Sequence, residues 1–184
     1  MMLLKKIFAS KIAAITLAAI FCVTTSGVAY AGLSKEHQLK VAYLYHFTKF
    51  VKWPTTAFSD NNANFQLCII GDDPFGKLLS VLSKKKVKKR RITIRRLDDV
   101  KSVADCHILF VSRSEASNLQ SIFTGVIGSP VLTVGEIDSF VQHGGMVNFT
   151  TREQKLRFEI SQERAEDAGL KISATMLQVG INVQ

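Results

Sequence analysis

Short apolar runs flanked by helix-like segments constrain this chain more than any other feature. Leu67-Cys68-Ile69-Ile70, closed by Gly71, and Ile108-Leu109-Phe110-Val111 are continuous apolar runs of four residues. Runs that short and unbroken read as strands buried on both faces, the kind found in parallel sheets. Residues 131–134 read as a further strand. Residues 91–95 alternate, with Ile92 and Ile94 inward and Arg91, Thr93 and Arg95 outward, as in a half-exposed, edge-like strand. Helices are predicted between these runs, over 74–82 (opened by Asp72 or Asp73), 114–123 and 136–142. Residues 146–149 and 156–160 then flank a polar stretch and read as a β-hairpin. Leu156, Phe158 and Ile160 of the second run face in. A last helix is predicted over 173–183, with Ile172, Met176, Gly180 and Val183 along one side. Repeated β-α units closed by a hairpin imply an α/β three-layer sandwich, its sheet mostly parallel with an antiparallel C-terminal edge.

The N-terminus sets the compartment. Lys5 and Lys6 precede an apolar stretch over 12–23, and Ala29-Tyr30-Ala31 supplies a small-x-small cleavage pattern. That order is a secretory signal peptide over residues 1–31, cut between Ala31 and Gly32. The apolar stretch is shorter than the roughly 20 residues a bilayer anchor needs. Phe21 stands where a lipoprotein site at Cys22 would need a small residue. Removing 31 of 184 residues leaves 153, the size of one domain over 32–184. The leader carries three lysines and no acids, so the net charge of +9 falls to +6. Such a charge favours solubility and draws the protein weakly to anionic surfaces without specifying a partner. Export to a periplasm excludes chemistry that depends on ATP, NAD(P)H or DNA.

Residues 32–53 read as a helix, with Ser34 as N-cap and Trp53-Pro54 as its stop. Leu39, Tyr43, Phe47 and Phe50 form one stripe, flanked by Val41, Leu44 and Tyr45. A helix apolar on more than one face is either deeply buried or docked on another chain. Two cysteines survive cleavage, Cys68 and Cys106. In an oxidising compartment they read as a disulfide or, since each sits in an apolar run, as two buried thiols. Neither their spacing nor the scattered His37, His46, His107 and His143 forms a zinc pattern.

Two further stretches stand out. Gly71-Asp72-Asp73-Pro74-Phe75-Gly76 lies between a strand and a helix, where open α/β sheets bind ligands. Its two carboxylates would repel a phosphate, and a turn with an N-cap accounts for the residues. Residues 84–91 place seven cations in eight positions. They read as a solvated loop, or as a contact for an anionic membrane surface, lipid phosphates or an acidic partner. With no aromatic interleaving and an export signal, nucleic acid is excluded. No nucleophile elbow or zinc-protease motif is present, so the chain reads as no enzyme and as needing no cofactor or metal.

The ordered segments resemble the YfiR-like periplasmic proteins. The resemblance rests on residues 41–54 (Val41-Ala42-Tyr43-Leu44-Tyr45-His46-Phe47 through Trp53-Pro54), 68–76, 106–111, Leu132-Thr133-Val134, Gly144-Gly145-Met146-Val147-Asn148-Phe149, Leu156-Arg157-Phe158-Glu159-Ile160 and 168–174. It implies a Rossmann-like α/β sandwich, often a homodimer. It also implies a repressor that binds the periplasmic sensor domain of an inner-membrane diguanylate cyclase and lowers cyclic-di-GMP, adhesion and biofilm. An OmpA-like outer-membrane lipoprotein is the implied sequestering partner, and other sensors such as histidine kinases are further targets. The type's redox behaviour implies two cysteine pairs, whereas this chain keeps one. A regulator of this kind needs a protein-binding surface rather than a catalytic group. The candidate contacts are Tyr43, Phe47, Phe50 and Trp53 on the first helix, with Arg157 and Glu159 on the outward face of the last strand. Ordinary core packing and a surface ion pair are the alternatives. A small-molecule site near 71–75, Ser112 and Gly135, serving another membrane sensor, is the rival reading.

Overall fold

The computed structural model describes residues 27–183, with side chains from residue 35 onward. The leader's basic and apolar segments lie outside the described residues. Two units separate at residue 36, and all packing below belongs to the unit 37–184.

Helix α1 (Gly27–Phe50) runs into β1 (Val51–Lys52), and after a loop comes β2 (Phe65–Ile70). A 3-10 turn at Gly76–Leu79 leads into the one-turn helix α2 (Ser80–Ser83), followed by β3 (Lys86–Val87) and β4 (Arg90–Leu97). A 3-10 helix (Val100–Asp105) precedes β5 (Ile108–Val111), and another (Arg113–Glu115) precedes α3 (Leu119–Val126). The rest of the chain holds β6 (Leu132–Gly135), β7 (Val147–Arg152), β8 (Lys155–Ile160), α4 (Gln162–Asp167), β9 (Lys171–Ile172), α5 (Ala174–Val179) and β10 (Ile181–Asn182).

Eight strands form one mixed sheet in the order β10-β8-β7-β6-β5-β2-β4-β3. The pairs from β4 through β7 are parallel, as is β10 on β8; β7–β8 and β3–β4 are antiparallel. The unbroken apolar runs explain the centre. In β2 and β5, Leu67, Ile69, Ile108 and Phe110 enter one hydrophobic cluster, while Cys68, Ile70, Leu109 and Val111 enter a second on the opposite face. Both faces of the sheet are therefore covered, and no polar alternation is possible there. α1 covers the first face with Val41, Leu44 and Phe47, continued by Val51 of β1; α3 covers the second with Leu119, Ile122 and Val126. A separate two-stranded sheet, β1 with β9, ties the end of α1 to the C-terminal region.

Several local expectations shift. Ser34 lies inside α1 rather than capping it. The buried stripe of α1 is offset from the predicted one: Leu39 is 44% exposed, while Lys40, Val41, Leu44, Phe47 and Thr48 are buried. Residues 136–142 form turns, not a helix. The reason is Phe140, fully buried against two glycines: a Cβ on Gly135 or Gly145 would come within 2.6 or 2.2 Å of its ring. That close approach demands a chain path no regular helix follows. The last predicted helix ends at Val179, and the chain then joins the sheet as β10. The hairpin strands are longer than their apolar content suggested, because Glu153 and Gln154, both at positive φ (51° and 59°), close a two-residue turn.

Candidate functional site

The proposed contact residues divide between two faces of the β7–β8 hairpin. Tyr43 and Phe47 point into it: Phe158 meets their rings at 5.3 and 5.2 Å, and Phe149 lies 6.1 and 6.0 Å from them. Phe47 is 1% exposed, so it is core and offers a partner no surface. Tyr43 is half-buried beside it. Arg157 and Glu159 flank Phe158 in sequence and so project from the other face. Arg157 is exposed opposite Thr150, while Glu159 accepts a hydrogen bond from Arg152 at 3.4 Å. A partner touching Tyr43 could not touch Arg157 without wrapping the sheet edge. Phe50 is half-buried, stacked at 6.1 Å on exposed His46.

Trp53 belongs to a different construction, and the residues around it were not singled out in the sequence. Five side chains stack in a column: Arg90 lies 3.9 Å over Phe58, Phe58 4.4 Å from His107, His107 4.8 Å from Phe65, and Phe65 meets Trp53 edge-on at 4.9 Å. The column clamps the loop after β1 onto the amino ends of β2 and β5. Arg90 fastens the rest of that loop by donating to the carbonyls of Asp60 (2.9 Å) and Ala63 (2.7 Å). The Trp53 indole N–H donates to the His107 carbonyl at 3.1 Å, which sets the ring's orientation. Trp53 and Phe58 remain half-buried, so the column shows aromatic surface to solvent. A cavity of about 250 Å³ opens between Thr48, Trp53, Phe58, Phe65 and Arg90.

His107 is 5% exposed and neutral. Desolvation by burial lowers its pKa from 6.5 to about 4; the Ala57 carbonyl opposes this and the Arg90 charge adds to it. Its Nδ1 accepts the Gln66 backbone N–H at 3.0 Å, so the proton sits on the buried Nε2. A ring held that way shapes the loop but presents no base to a substrate.

The opposite end of the sheet is where the chain leaves β2 toward β4 and then crosses back to β5, the switch point at which α/β folds place ligands. Side chains fill its part around Gly71. Asp72 N–H donates to Ser114 Oγ at 2.9 Å, and a Cβ on Gly71 (φ 83°) would lie 2.4 Å from that oxygen. Ser112 is buried and Gly135 is packed by Phe140. Asp73 accepts the N–H groups of Phe75 and Gly76 and both Nε and Nη2 of Arg96. The acidic glycine loop is thus a braced turn, while a cavity of about 460 Å³ opens beside the strand ends at Ser112 and Gly135, lined by Arg113, Gln120, Ile137, Asp138 and His143. Among the described residues, no three His, Cys, Asp or Glu come together to hold a metal, and no helix is long and apolar enough to cross a membrane.

Cys68 and Cys106 are joined by a disulfide, their Cα atoms 5.9 Å apart. Cys106 precedes β5, and the strand partner of Cys68 is Leu109. The two are therefore not directly opposed, and their Cα separation lies within the range a disulfide spans.

Across this architecture, residues 37–180 match the family model described as YfiR/HmsC-like, so the chain belongs to that family. The match covers the sheet from β2 to β8 and the aromatic column. Membership suggests a regulator, periplasmic and acting in cyclic-di-GMP signalling. No curated protein matches the chain significantly.

Proposed function

We propose that this chain is an exported periplasmic repressor that binds the sensor domain of an inner-membrane diguanylate cyclase and holds the enzyme inactive. The observation that carries this reading is the family match over 37–180. The fold is consistent with it: a sheet covered on both faces, as a Rossmann-like three-layer arrangement requires, with aromatic surface held rigidly at one end. Repression needs only unequal affinity for the active and inactive sensor. Shifting a cyclase from mostly on to mostly off takes on the order of 5 kcal/mol of preference. A few aromatic or Arg anchors supply that much.

Trp53 is the strongest anchor candidate, being half-exposed and fixed by its bond to His107. Phe50 and Tyr43, half-buried on α1, are further candidates. Arg157 and Glu159 serve a second face, available to a homodimer partner or an OmpA-like lipoprotein. Deleting the reading frame should raise intracellular cyclic-di-GMP, and complementation with Trp53→Ala should restore repression only partly. An unchanged nucleotide level on deletion overturns the cyclase assignment. Capture of a membrane histidine kinase by the purified protein would redirect the reading to another sensor.

A further inference from the structure

The basic run over 84–91 is a structured hairpin at the end of the sheet. β3 and β4 pair Lys86 with Arg91 and Val87 with Arg90 across a turn at Lys88-Lys89. Val87 is buried and Arg90 is used in the aromatic column, so that face of the hairpin looks inward. Lys86 and Arg91, on the other face, are exposed, as are Lys84, Lys85, Lys88 and Lys89.

These six cations differ from their neighbours. Arg95 reaches Asp105, Arg96 holds Asp73 and Lys101 lies near Asp99, but no carboxylate comes within 4.0 Å of any of the six among the described residues. Like charges directly opposite on paired strands destabilise a hairpin, and Lys86 faces Arg91. Lys88 also sits in the left-handed region at φ 55°, where a lysine is unfavourable. Charged edges also discourage strand-to-strand aggregation. The hairpin carries an uncompensated concentration of positive charge that an anionic counterpart would relieve.

Five of the six are lysines, and this bears on the kind of counterpart. Shaped sites for carboxylate or phosphate groups favour the planar, bidentate fork of arginine, whereas lysine is a hydrated point charge suited to a diffuse anionic surface. No aromatic or apolar wedge lies among them. We propose that this hairpin docks the protein reversibly onto an anionic phospholipid surface, through headgroup phosphates and without insertion into the bilayer.

The test is sedimentation of the purified protein with vesicles of mixed phosphatidylglycerol and phosphatidylcholine, against phosphatidylcholine alone. Binding is expected only to the anionic vesicles, and raising salt from about 0.05 M to about 0.5 M should abolish it. Each neutralised lysine should weaken binding about fivefold. The quadruple variant Lys84→Gln, Lys85→Gln, Lys86→Gln, Lys89→Gln should therefore not sediment, with its circular dichroism and melting temperature retained. The same four positions changed to Arg should still bind. Equal binding to neutral vesicles, retained binding by the Gln variant, or saturation by a soluble acidic polypeptide with no vesicle binding overturns the proposal.

Discussion

Lys40, buried on α1, and Glu136, at the end of β6, form an ion pair of 2.6 Å with only 6% and 12% of their side chains exposed. It links helix to sheet across the sequence. Removing one charge would strand the other in a poorly solvated position, which costs several kcal/mol, whereas removing both is often near neutral. Lys40→Met should lower stability in urea denaturation by about 3 kcal/mol. The double variant Lys40→Met, Glu136→Leu should recover most of the loss. Equal losses in the single and double variants would show that packing, not charge, is at stake.

Gly145 has no spare volume beside it. An added methyl would lie 2.2 Å from the ring of Phe140, which is itself fully buried. Overpacking of this kind costs about 1–3 kcal/mol. Gly145→Ala should lower the melting temperature by several degrees, and Phe140→Leu in the same chain should recover part of that, since the second change makes room for the first.

The turn joining β7 to β8 places two ordinary residues, Glu153 and Gln154, where glycine and asparagine are favoured. Each left-handed residue is held against a preference of about 1 kcal/mol. Glu153→Asn with Gln154→Gly should therefore stabilise the protein by about 1 kcal/mol, read as a higher denaturation midpoint at unchanged slope. A lower midpoint would mean that those side chains make contacts the turn needs.

How far the sequence reveals the fold depends on what drives each element. β2, β5 and β6 are legible because burial on both faces leaves only apolar residues to choose from. The outer parts of β7 and β8 are not, since Thr151, Arg152 and Lys155 pair while exposed to water and carry no apolar signature. Residues 136–142 mislead because their path follows one ring, Phe140, seated on glycines ten positions apart. Trp53 could be singled out as a bulky aromatic at a helix stop. Its neighbours Phe58, His107 and Arg90 are set by tertiary stacking, to which spacing along the chain is blind. The outward placement of Arg157 and Glu159 is legible in the alternation of β8, whereas the packing of Phe158 against Tyr43 and Phe47 is not.

The aromatic column makes stability depend on pH in a defined window. His107 has a folded pKa of about 4 against 6.5 in the unfolded chain, chiefly because burial disfavours its charged form. The folded value is the depressed one, so between these limits the unfolded state binds more protons and stability falls as pH falls. The contribution is complete above about pH 6.5 and gone below about pH 4, a loss of about 3 kcal/mol. Carboxylates also titrate near the lower limit, so the diagnostic quantity is a difference. Unfolding free energies of the wild type and His107→Gln should converge as pH drops from 7 to 4, the variant being less stable at neutral pH and flatter across the window. Parallel profiles would mean that His107 is protonated in the folded protein as readily as in the unfolded one, and that the column tolerates the charge.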